Sequence, residues 1–183
     1  MKQSRTIVIW IVFGIILVGL TIYDSRRSKS VHQIFQHVCL DAIGDGKEME
    51  KAVSTVLWKY KLLQDPPLRE HVIRGPVILQ TRYYGIPSGG RLMTSQDGSY
   101  CQIFVGEDEG MDVLEGVANF DEMEFLRDNV NANGFRRAVI RMKESGAIVN
   151  LVEGSAADFL HIMTPELYMR QRAFDDPEVA VDN

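Results

Sequence analysis

The chain has 183 residues, 45% of them apolar, with 20 basic and 25 acidic side chains and a formal net charge of −5. Residues 1–30 hold five of the basic groups and one acid, so the rest of the chain sets 15 basic against 24 acidic residues. An acidic body of about 150 residues is the size of one ordinary domain, and its charge argues against nucleic acid as a partner.

Thr6 to Tyr23, TIVIWIVFGIILVGLTIY, contains no charged side chain. As a helix it would be roughly 27 Å long, close to the thickness of a bilayer's hydrocarbon core. Apolar residues occupy every face of it, which fits a membrane span better than the single stripe of a buried core helix. A cleaved signal would have a shorter apolar run and an A-x-A-like ending. Here the run contains no alanine and leads into Tyr23 and Arg26-Arg27. Residues 1–30 are therefore read as an uncleaved membrane anchor followed by a polar linker over 24–30, with the lipid bilayer as the first expected partner. Lys2 and Arg5 before the span nearly balance Arg26, Arg27 and Lys29 after it, so the positive-inside rule barely discriminates. The preferred orientation exports the C-terminal domain, into the periplasm in a bacterium. The alternative is a cytoplasmic-facing domain that recruits a partner to the membrane.

Beyond the linker, Val31, Ile34, Phe35, Val38, Cys39 and Ala42 recur with helical spacing, and Gly44-Asp45-Gly46 ends the run. A second helix carries Met49, Val53, Val56, Leu57, Tyr60 and Leu63 on its buried side, with Asp65-Pro66-Pro67 as its expected stop. Strands follow at Pro76–Tyr84, Arg91–Ser95 and Ser99–Val105, punctuated by Pro87-Ser88-Gly89-Gly90 and the hairpin pair Asp97-Gly98. From Glu109 the pattern turns helical again, with Met111, Leu114, Val117 and Ala118 in phase. It breaks near Phe120 and restarts behind Asp121 as N-cap, running to about Asn129. Arg136–Lys143 and Ala147–Val152 flank Glu144-Ser145-Gly146 as a second hairpin, and Ala157–Met163 makes a further strand. Thr164-Pro165-Glu166 opens a last short helix, with Thr as cap and Pro at the first helical position. An acidic tail over 175–183 is expected to be disordered. The order α, α, βββ, α, βββ, α predicts an α+β domain over residues 31–174, an antiparallel sheet with helices packed on one face. Twice a helix precedes three strands, a hint of duplication with no residue-level repeat behind it.

Cys39 and Cys101 are the only cysteines. No CxxC is present, so common zinc and thioredoxin-like spacings are excluded. Cys39 lies on the apolar stripe of the first helix. Cys101 shares a strand face with Ile103 and Val105 by period two. Both point inward by separate periodicities, which makes them a disulfide candidate in an oxidising compartment.

Chemistry elsewhere is sparse. His32, His37, His71 and His161 do not show the spacing of a helical metal pair. Arg136, Arg137, Arg141 and Lys143 are read as a solvated strand face in preference to a phosphate site. Gly106-Glu107-Asp108-Glu109-Gly110 lacks the alternation of a calcium loop, and Ser88-Gly89-Gly90-Arg91 lacks the ending of a P-loop. No catalytic residue, metal ligand or cofactor site is assigned, and no cofactor is expected. The sequence reading is thus a single-pass membrane protein whose exported domain is an interaction or accessory module of the cell envelope, with a possible protein partner. The alternative is an enzyme whose site gathers His71, His161 and acids of the 106–112 region.

Overall fold

The computed structural model describes residues 15, 31–44, 48–74, 77–87, 89–106, 110–117, 120–155 and 157–175. Apart from Ile15, the expected membrane span and linker lie outside the described residues, as does the tail beyond Asp175. Among the described residues no helix is long and apolar enough to cross a membrane.

The described domain opens on a helical turn at 31–34 that continues as α1 (Phe35–Gly44), wound with π geometry, and is followed by α2 (Met49–Tyr60). A meander follows, made of β1 (Leu63–Arg74), β2 (Val77–Gly85), β3 (Arg91–Ser95) and β4 (Tyr100–Phe104). After α3 (Gly110–Val117) and a 3-10 turn at Phe120–Glu122 comes a second meander, β5 (Met123–Val130), β6 (Arg136–Met142), β7 (Ile148–Val152) and β8 (Phe159–Met163). The chain then runs into α4 (Pro165–Asp175). The two meanders join through β4 and β8 into one antiparallel sheet, ordered β1-β2-β3-β4-β8-β7-β6-β5. The α+β class with an antiparallel sheet agrees with the sequence, and each half is a helix followed by four strands instead of three.

Several local expectations hold for evident reasons. Asp97-Gly98 turns β3 into β4, with Gly98 at φ 73° and the Asp97 carboxylate accepting the Ser99 N–H at 3.0 Å. Thr164 caps α4, its hydroxyl oxygen accepting the Leu167 N–H at 3.3 Å, so one of the helix's orphan donors is satisfied. The stripe of α1 is buried throughout, from Val31 to Ala42, and α1 lies across β4 and β8 with α2 against it.

Three expectations are corrected. First, α2 ends at Tyr60 through Lys61 in the left-handed region, φ 53°, and Asp65-Pro66-Pro67 lies inside β1. Proline is tolerated there because β1 is an edge strand, and the β1–β2 register shifts between Asp65 and Arg69. Leu63, assigned above to the helix stripe, is an exposed residue of β1. Second, the helix expected behind Asp121 is strand β5, the opposite edge of the sheet. After Met123 all its side chains are exposed, so no period-two pattern marks it, and backbone pairing with β6 decides its conformation. Third, the helices do not share one face. The core under α1, α2 and α3 takes Leu92, Cys101, Ile103, Ile140, Val149, Leu151, Leu160 and Ile162 from the sheet. Leu167 of α4 belongs to a separate cluster with Met93, Tyr100, Ile148 and Met163, the neighbours in the opposite phase. Helix α4 thus covers the other face.

Candidate functional site

Cys39 of α1 and Cys101 of β4 are joined in a disulfide, with their Cα atoms 5.3 Å apart across a sequence separation of 62. Both residues are fully buried in the larger core. The bond ties the first helix to the strand at the centre of the sheet, the geometry that the two periodicities implied.

The α4 face of the sheet carries the polar chemistry. A row of paired residues crosses it: Tyr83, Met93, Gln102, His161, Asn150 and Val139 on β2, β3, β4, β8, β7 and β6. Tyr100 stands beside this row. Its hydroxyl donates to Gln102 Oε1 at 2.6 Å and lies 3.2 Å from His161 Nδ1. With the hydroxyl proton committed to Gln102, the imidazole must donate from Nδ1, which leaves Nε2 as an acceptor. The rings of His71 and His161 flank Tyr100, with centroids at 6.0 and 5.6 Å. Desolvation, with a smaller contribution from His71, lowers the His161 pKa to about 4. Burial also lowers that of His71. Burial raises that of Tyr100, reinforced by Tyr83. All three rings are therefore neutral at pH 7.

Beside this cluster a half-open cleft of about 1000 Å³ lies between α4 and strands β5, β6 and β7, with His161 and Asn150 in its lining. Its depth is apolar, with Ile148 at 2% exposure. Its rim holds four exposed arginines: Arg127 of β5, Arg137 and Arg141 of β6, and Arg172 of α4. No acidic side chain among the described residues lines it. The strand arginines share a face because Arg127 pairs with Val139, whose side chain lies in phase with Arg137 and Arg141. Arg141 meets Glu124 at 3.4 Å. Among the described residues no ion pair engages Arg127, Arg137 or Arg172.

The structure therefore brings His71 and His161 together around Tyr100, as the enzyme alternative requires. Among the described residues of the 106–112 region it brings no acid to them. Asp112 is exposed on α3, which packs on the opposite face of the sheet, and residues 107–109 lie outside the described residues. The basic run from Arg136 to Lys143 divides. Arg136 makes a two-pronged ion pair with Asp128 at 2.7 and 2.6 Å. Lys143 donates to the Asp121 carbonyl at 2.8 Å, while Arg137 and Arg141 turn to the cleft. Sequence reasoning missed Arg127 because its segment was read as helix, and Arg172 because only the fold sets α4 over that face. Among the described residues no group of three or more His, Cys, Asp and Glu could hold a metal ion. Comparison with known proteins finds no matching family model, curated protein or solved structure.

Proposed function

We propose that this protein is a membrane-tethered binding module whose α+β domain stands on the exported side and serves the cell envelope through an interaction. The observation that carries the reading is the Cys39–Cys101 disulfide, sealed between α1 and β4 with both residues at 0% exposure. Reducing compartments keep thiols unpaired, and disulfides built into a core belong to proteins that fold in oxidising ones. The uncharged run Thr6–Tyr23 supplies the tether. An open cleft whose rim gathers three arginines without an ion-pair partner among the described residues supports a binding role. The His71–Tyr100–His161 cluster lends itself less to catalysis. Its tyrosine is buried with a raised pKa, and the hydroxyl donates its proton to Gln102 and not to either imidazole.

The test is topology in intact cells. A reporter fusion at the C-terminus, or protease protection of a C-terminal epitope tag, distinguishes the two orientations. Accessibility from outside the cytoplasm, with the cysteines oxidised in the isolated protein, supports the proposal. A C-terminus reached only from the cytoplasm refutes the exported orientation and favours the domain that recruits a partner to the inner surface.

A further inference from the structure

We infer that the cleft under α4 is a binding site for a single-chain amphiphile with an anionic head, a carboxylate or phosphate on an apolar body. The inference goes beyond the envelope reading and holds on whichever side of the membrane the domain stands.

The cleft orders its polarity from mouth to depth. At the mouth, Arg127, Arg137 and Arg172 converge from two strands and one helix, without a carboxylate partner among the described residues. Guanidinium groups present planar forks that match carboxylate and phosphate oxygens. Such a cluster in a chain of net charge −5 is a local reversal of the protein's field, and it would concentrate anions at this one place. Apolar side chains stand open among the cations: Leu126 is 37% exposed, Met169 40% and Val130 65%. Deeper in, Ile148 closes the wall, while His161 and Asn150 offer neutral polar atoms. A free anion would leave the apolar wall unused, and a neutral lipid would leave the arginines unpaired. An anionic amphiphile engages both. The cleft's volume of about 1000 Å³ is ample for such a chain, being at the upper end of ligand pockets.

The amphiphile could arrive free in solution or from the bilayer to which the chain is tethered, and the two sources are separable. The full chain in phosphatidylcholine nanodiscs is titrated by calorimetry with octyl phosphate, inorganic phosphate and octyl glucoside, against empty nanodiscs. The expected result is at least tenfold tighter binding of octyl phosphate than of either half-ligand. Arg137→Gln and Arg172→Gln should each weaken it by threefold or more, with melting temperatures unchanged. Val139→Trp, which fills the cleft and leaves every arginine in place, should weaken it likewise. Repeating the titration in nanodiscs containing lysophosphatidic acid, a single-chain phosphate lipid, identifies the source. Weaker apparent binding there means the site fills from the bilayer, and unchanged binding means it takes free amphiphile. Binding of octyl phosphate no tighter than inorganic phosphate, no tighter than octyl glucoside, or indifferent to both arginine substitutions overturns the inference.

Discussion

The Cys39–Cys101 bond closes a sequence separation of 62 residues. In the chain-entropy treatment a loop of that size removes about 4 kcal/mol of disorder from the unfolded state. For a domain of about 150 residues, each kcal/mol moves the melting temperature by about 3–4 °C. Loss of the bond should therefore lower the melting temperature by roughly 12–16 °C. Because both residues are fully buried, reduction has to be done in denaturant and followed by refolding under reducing conditions. Cys39→Ala, Cys101→Ala and the double variant should fall together to within about 1 kcal/mol, since each single substitution already abolishes the whole cross-link and contacts add little. Thermal melts by circular dichroism read all five forms, the oxidised protein included. A reduced protein melting within about 3 °C of the oxidised one, or a double variant costing the sum of the singles, refutes the view that the bond acts by restraining the unfolded chain.

Two further outcomes follow from the same structure. His161 titrates near pH 4 when folded, against an ordinary value of 6.5. Its contribution to stability is complete above pH 6.5 and is lost as pH falls toward 4, because in that window the unfolded chain binds the proton that the folded site resists. The lowered pKa of His71 acts in the same direction. The loss is at most about 3 kcal/mol, reduced by solvent entering the cleft. His161→Gln should flatten the melting temperature between pH 7 and 5, and an unchanged slope would remove His161 as its source. Gly110, at the start of α3, has no room for a side chain: a Cβ there would lie 2.6 Å from Leu151 Cδ1 and 3.0 Å from Asp158 Cβ. Gly110→Ala should cost about 1–3 kcal/mol by overpacking in urea denaturation. Asp158→Ala, which removes the acceptor for the Gly110 and Gly154 N–H groups, should cost a similar amount. Wild-type stability in either variant would refute this account of the α3 junction.

The sequence alone determined what depends on a few neighbouring residues. The stripe of α1, the Asp97-Gly98 and Glu144-Ser145-Gly146 turns, the Thr164-Pro165 helix start and the inward phase of both cysteines are local matters of period, φ and capping. It also determined the class, because short turns between apolar strands compel antiparallel pairing. Only the tertiary structure decided the edges and the cleft. Strands β1 and β5 carry a proline pair and an unalternating run, and each exists through the backbone hydrogen bonds of a single neighbour. The face taken by α4 was equally undetermined: the polar residues of its exposed side continue around a helix of weak amphipathicity, and Leu167 finds its place only against Met93, Tyr100 and Ile148. The cluster of Arg127, Arg137 and Arg172 follows from both decisions at once. Residues distant along the chain meet when strand order and helix placement bring them together, and no local pattern encodes that meeting.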